Sequence, residues 1–187
     1  MVRRCLILLF AVIFTVGCSP VTNSMQEGLG LRQRLLDSSG CEFDAVITAN
    51  YTDCSYTFTL HCKANKAGDV SFSVEDPESI SGITGTVSTT GGDLRFDDVI
   101  LGFDTLADGL LSPVSTPWVF MKALRSGYLH SSQKSGDTTE LIFDDTYRSE
   151  TVRVCLQLGR DVLPEFCEVY WNGKRYLSMD VRNFVFL

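Results

Sequence analysis

The chain has 187 residues, 44% of them hydrophobic, which is room for one domain with a substantial core and too little for two large ones. Its 16 Lys+Arg against 23 Asp+Glu leave a formal charge of -7, the wrong sign for general nucleic-acid binding, which leans on basic patches. Aromatic residues at 11% and charged residues at only 21% exclude a disordered chain.

Met1-Val2-Arg3-Arg4 is a short basic start, and Cys5 to Val16 is an apolar run, interrupted only by Thr15, ending at Gly17-Cys18. A spanning helix needs about 20 apolar residues, so the run instead has the length of the apolar region of a secretory signal peptide. Val16-Gly17-Cys18 resembles the bacterial lipoprotein signal, in which a small residue precedes a Cys that is diacylated and becomes the new N-terminus. Thr15 stands where that signal usually carries Leu. The expected division is a signal peptide over residues 1–17, a lipidated Cys18 with a polar tether over 18–24, and one domain over 25–187. An ordinary signal peptide with an incidental Cys is the alternative. Acyl chains contribute about 0.8 kcal/mol per buried methylene, so several would hold the protein on a membrane of the cell envelope, outside the cytoplasm. Loss of Arg3 and Arg4 makes the remaining body more acidic, so it would stand slightly off an anionic membrane surface.

Residues 25–38 read as a helix, with Met25, Leu29, Leu31, Leu35 and Leu36 near one face and Ser38-Ser39-Gly40 as the stop. From Cys41 the period changes to two. Cys41, Phe43, Ala45 and Ile47 alternate with polar residues, then Tyr56, Phe58, Leu60 and Cys62, then Val70, Phe72 and Val74. This predicts an antiparallel meander with one apolar face. Short strands near 83–87, 93–96 and 99–103 continue it, with Gly91-Gly92 as a hairpin turn.

The alternation breaks between Leu106 and Gly127. Thr116 as N-cap, Pro117 at the first helical position and Gly127 as the stop predict a very apolar short helix carrying Trp118 and Phe120. Strands near 138–145, 150–158, 165–171 and 174–186 follow, with Asn172-Gly173 as a two-residue hairpin. The expectation is an α+β, mainly β fold of about ten antiparallel strands, strongly curved around an N-terminal and a mid-chain helix packed in the concave face.

With Cys5 in the signal peptide and Cys18 given to lipid, Cys41, Cys54, Cys62, Cys155 and Cys167 remain. Cys155 with Cys167, and Cys41 with Cys62, fall where hairpins would bring them together, so each is a possible disulfide; buried free thiols are the alternative. No zinc-ligand spacing occurs, and no metal or other cofactor is expected. His61 and Cys62 are adjacent on a strand and point to opposite faces, which argues against a catalytic pair. No nucleophile elbow, phosphate loop or dinucleotide fingerprint is present, so the chain reads as non-enzymatic. The acid pairs Asp97-Asp98 and Asp144-Asp145 read as solvated strand-end carboxylates, with a weak calcium site as the alternative.

The segment Phe72-Ser73-Val74-Glu75-Asp76-Pro77 running on to Ile83, then Leu94-Arg95-Phe96, then Leu111-Ser112-Pro113 leading into the helix, resembles the lipoprotein-localisation-factor superfamily (LolA/LolB-like) in layout. The resemblance covers residues 24–187 and implies an unclosed half-barrel that holds acyl chains between sheet and helices. Phe43, Phe58, Leu60, Phe72, Val74 and Phe96, lidded by Trp118 and Phe120, then form the expected ligand face. Burying each such side chain contributes about 1.5–3 kcal/mol in a core and in a cavity alike. Two functions follow: a membrane-anchored lipoprotein binding lipid or another hydrophobic ligand, or an envelope lipoprotein with a filled core that presents its surface to protein partners.

Overall fold

A computed structural model describes residues 23–50, 55–104, 106–107, 110–147 and 150–187. The expected signal peptide, Cys18 and most of the tether lie outside the described residues. The first helix, α1 (Asn23–Asp37), opens at Asn23, so Asn23 and Ser24 belong to the helix rather than to the tether.

The strands run β1 (Gly40–Asn50), β2 (Ser55–Asn65), β3 (Val70–Asp76), β4 (Thr84–Ser88), β5 (Gly91–Phe96) and β6 (Val99–Phe103). Two short strands, β7 (Leu106–Ala107) and β8 (Leu110–Leu111), form a separate ribbon. Helix α2 (Thr116–Ser126) follows, then β9 (Tyr128–Ser135), β10 (Thr138–Tyr147), β11 (Glu150–Leu158), β12 (Pro164–Trp171) and β13 (Lys174–Phe186).

Eleven strands form one antiparallel sheet in the order β6-β5-β4-β3-β2-β1-β13-β12-β11-β10-β9, unclosed as expected. The order follows from hairpin chemistry. The first meander steps outward from β1 to the β6 edge, and the second steps inward from the β9 edge to β13, which pairs with β1 from Cys41↔Phe186 to Ala49↔Leu177. The chain must therefore cross from one edge to the other between the meanders. Helix α2 makes that crossing over the concave face, which is why all but its solvent side is buried.

Strand β1 shows the period of two in full: Cys41, Phe43, Ala45, Ile47 and Ala49 are buried, and their alternating neighbours are half-exposed. Phe43 lies at its centre, edge-on to Phe120 with ring centroids 5.6 Å apart and stacked on Phe184 at 5.8 Å. The Asn172-Gly173 turn holds as expected, with φ of 48 and 80, the left-handed pair that a two-residue hairpin needs.

Four expectations are corrected. The buried face of α1 is Ser24, Gly28, Leu31 and Leu35, and Leu29 and Leu36 are exposed. Gly28 sets that face, because a Cβ there would sit 2.8 Å from Leu141 Cδ1. Gly91 and Gly92 lie within β5 rather than at a turn; Thr89-Thr90 makes the turn, and a Cβ on Gly92 would sit 2.3 Å from the Phe103 ring. The N-cap of α2 is Ser115, and Thr116 is already helical, its hydroxyl donating to the Pro113 carbonyl at 2.6 Å. Strand β9 was unexpected, since Tyr-Leu-His-Ser-Ser-Gln-Lys-Ser has too few apolar residues to show a buried face.

Helix α1 lies over β9 and β10, and α2 lies between β10 and β2. Ser24 Oγ meets Ser132 Oγ at 3.0 Å, and Glu27 accepts hydrogen bonds from Lys134 and Thr139. Both helices thus gather over one part of the concave face, away from β5 and β6.

Candidate functional site

The strand register sends Phe43, Phe58, Leu60, Phe72 and Val74 to the concave side, where all five are buried together with Trp118 and Phe120 of α2. Seven of the eight expected ligand-face residues therefore meet in one cluster, and α2 fills the space between them. Phe96 departs from this. It faces the same side, two residues beyond the inward Leu94, yet it is 53% exposed.

Phe96 has company. Its cross-strand partner Val99 is 55% exposed, and Leu101, opposite Leu94, is 61% exposed. Phe103 packs over Gly92 at the inner end of the same face. On the outer side of β6, Ile100 is 63% exposed. The core's apolar surface thus continues past the helices onto β5 and β6 and reaches solvent. The sequence reading placed Phe96 there and missed Val99, Ile100 and Leu101. Their signal was available: Val-Ile-Leu-Gly-Phe lacks a polar residue on either face, which is unusual for an edge strand.

A cleft of about 340 Å³ opens beside Trp118, lined by Leu36, Gly68, Asp69, Lys122 and Arg125 among others. Lys122 donates to Asp145 at 2.5 Å and lies over the Trp118 ring at 5.9 Å. Arg125 donates to the Lys66 carbonyl at 2.7 Å. Helix α2 thus gives the cleft one aromatic ring, Trp118, set among the polar side chains of Lys122, Arg125 and Ser126.

On the convex face, His61 Nδ1 lies 2.7 Å from Asp44 and Nε2 lies 2.9 Å from Glu42. These acceptors raise the imidazole pKa, led by Asp44, and the same bond holds the Asp44 carboxyl below its ordinary range. Cys62 points the other way, into the core, where desolvation pushes its thiol pKa well up. The neighbouring His and Cys are therefore separated by the sheet, as the alternation required.

The expected disulfide partners do not face one another. Cys155 pairs with Glu168 and Cys167 with Leu156, so the register is one residue out and the two thiols project to opposite faces. Cys41 lies opposite Ala64 and Cys62 opposite Phe43, which leaves the two diagonal on the inner face. All four are free thiols, and Cys41 Sγ contacts Met121 Sδ at 3.6 Å. Asp144 and Asp145 sit within β10 rather than at its end; Asp144 accepts from Arg153 and Asp145 from Lys122. Among the described residues no cluster has the makings of a metal site, and no helix is long and apolar enough to cross a membrane.

An open antiparallel half-barrel wrapped around an inserted helix is the class this geometry defines. Solved structures of similar layout include a LolA superfamily protein from Nitrosomonas europaea, at 8% identity and TM-score 0.45, covering 84% of this chain and 92% of that one. An uncharacterized conserved protein from Thermus thermophilus is 11% identical with TM-score 0.48, over 88% of each chain. The lipoprotein LppX from Mycobacterium tuberculosis is 9% identical with TM-score 0.43, over 86% of this chain and 92% of that one. No family model matches the sequence, and no curated protein does. At these identities no residue's role is carried across from the solved structures.

Proposed function

We propose that this chain is an exported envelope lipoprotein, held on a membrane through lipid on Cys18, that binds an acyl chain or another hydrophobic molecule in its half-barrel and catalyses no reaction. The observation that carries this reading is the uncovered inner face of β5 and β6. Phe96, Val99 and Leu101 extend the apolar lining beyond the helices, and each is more than half exposed. An apolar surface of this kind marks a binding site more often than a chance exposure. The N-terminal run Cys5–Val16 followed by Gly17-Cys18 supports the anchor. The raised pKa values of the buried thiols, and the separation of His61 from Cys62, support the absence of chemistry.

The second reading, an envelope lipoprotein with a filled interior, draws on one observation: Phe43, Leu60 and Phe120 are wholly buried around α2. It leaves the exposed end as a contact surface for an envelope protein.

Native mass spectrometry after mild extraction, combined with titration of a fluorescent fatty acid, tests the ligand. The expected result is a co-purifying acyl species, and uptake that Phe96→Asp abolishes while the circular dichroism spectrum is kept. A clean apo mass with no uptake leaves only the filled-core reading. For the anchor, the mature N-terminus should carry acyl mass at Cys18, and Cys18→Ala should release the protein from membranes.

A further inference from the structure

The two edges of the sheet are built differently. Strand β9 is protected by polar side chains, and its Lys134 is tied to Glu27 of α1. Strand β6 has no charge, no proline and no bulge between Val99 and Phe103, and both its faces are apolar and exposed. Natural proteins usually blunt such an edge, because its unpaired N–H and C=O groups invite another strand. In a two-residue hairpin the residues flanking the turn exchange both backbone bonds. Phe96 and Val99 flank the Asp97-Asp98 turn, so Val99, Leu101 and Phe103 bond back to β5. Ile100 and Gly102 then offer their backbone groups to the free side. Strand β6 ends the sheet order, so no strand of that sheet takes these groups, and a Cβ on Gly102 would meet nothing within 4 Å on the outer face beside them.

Acids mark both ends of the edge. Asp97 and Asp98 precede the strand and Asp104 follows it, all exposed. That charge selects the occupant. A second copy paired antiparallel about Leu101 would set Asp98 of one copy against Asp104 of the other, a like-charge clash. An anionic lipid surface would be repelled by the same three carboxylates. We propose that the β6 edge is a docking site for an extended polypeptide segment that has alternating apolar residues at its centre and Lys or Arg at both ends, added to the sheet as a further antiparallel strand. Backbone hydrogen bonds to Ile100 and Gly102 supply the register, and Asp98 and Asp104 supply the charge preference. The outward side of this edge is distinct from the inner apolar face assigned to the hydrophobic ligand.

The test is fluorescence anisotropy of the purified protein with the labelled peptide Lys-Lys-Val-Thr-Val-Thr-Val-Lys-Lys and its counterpart with Glu at both ends, alongside amide hydrogen exchange. The expected result is binding of the basic peptide, at least about tenfold weaker binding of the acidic one, and slowed exchange at Ile100 and Gly102. Gly102→Pro removes a free donor without touching β5 and should abolish binding. Joint Asp98→Lys and Asp104→Lys substitution should reverse the preference. Equal affinity for the two peptides, no binding of either, or protection confined to other strands overturns the proposal. So does a stable dimer that excludes the peptide through β6, or adsorption to anionic vesicles that Ile100→Lys removes.

Discussion

Arg32 Nη2 of α1 lies 2.6 Å from the carbonyl oxygen of Gly127, just past the end of α2. The same guanidinium donates from Nε to Leu124 O at 2.6 Å and from Nη2 to Ala123 O at 3.2 Å. The last carbonyls of a helix have no donor within it, and here a cation from the other helix serves them. Desolvation lowers the Arg32 pKa, yet a guanidinium is basic enough to keep its charge. Arg32→Met loses every donor, and with them the charge that lies 5.5 Å over the Phe143 ring. It should destabilise the fold by about 1–3 kcal/mol, seen as a lower urea midpoint at unchanged slope. Arg32→Lys should recover only part of this, because an ammonium lacks the planar fork that reaches three carbonyls.

Gly28 and Gly30 are two residues apart on α1 and should respond oppositely to alanine. A Cβ at Gly28 would lie 2.8 and 2.9 Å from the two Leu141 methyl carbons, whereas one at Gly30 meets nothing within 4 Å. Gly28→Ala should cost about 1–3 kcal/mol through overpacking, less the gain in helix propensity. Gly30→Ala should stabilise by about 0.5–1 kcal/mol. Thermal unfolding of the pair decides this; equal shifts would mean that α1 does not pack on β10 through Gly28.

The contrast between those two glycines also shows what the sequence could carry. Period-two alternation located β1, β2 and β3 and chose their buried faces, because a single slip would turn every apolar residue to solvent. It also sent Phe43, Phe58, Leu60, Phe72, Val74 and Phe96 to one side. Alternation cannot say whether that side is covered, and coverage separates Phe58, 8% exposed, from Phe96, 53% exposed. Asp in place of Phe58 would bury an unpaired carboxylate and unfold the protein, so Phe96 is the informative position. The face of α1 was misread because Leu29 and Leu36 are apolar and exposed, while the close approach to Leu141 needs a residue with no side chain. The Cys155–Cys167 register failed by one residue, owing to a β-bulge between Gln157 and Leu158 that spacing alone does not announce.

The His61 cluster makes stability depend on pH with a definite sign. Its pKa is raised above 6.5 by Asp44 and then Glu42, so its contribution is fully present below 6.5 and is lost as pH rises through the folded value. The Asp44 pKa is lowered below 3.8, so its contribution is present above 3.8 and is lost as pH falls through the folded value. The pair is therefore strongest between those limits. Because His61 is partly exposed, the effect should stay below about 1 kcal/mol. The gap in unfolding midpoint between the wild type and His61→Gln should be widest near about pH 5 and should narrow as pH rises through the folded value of His61. A gap that widens with pH would contradict the geometry.

Thiol reactivity follows from the same register. Cys155 is half-buried on the outer face, where burial, Glu140 and Glu168 push its pKa up to about 11. At neutral pH its thiolate should be about 100-fold scarcer than that of an ordinary exposed cysteine. Cys41, pushed up to about 12 mainly by desolvation, and the buried Cys62 and Cys167 should react only when the sheet opens. Maleimide labelling followed by peptide mapping should therefore find Cys155 modified slowly but first among these four, with the other three appearing together in denaturant. Because Cys155 and Cys167 project to opposite faces, oxidation of the folded protein should yield no peptide that links them, and such a peptide would require the β11–β12 register to shift by one residue.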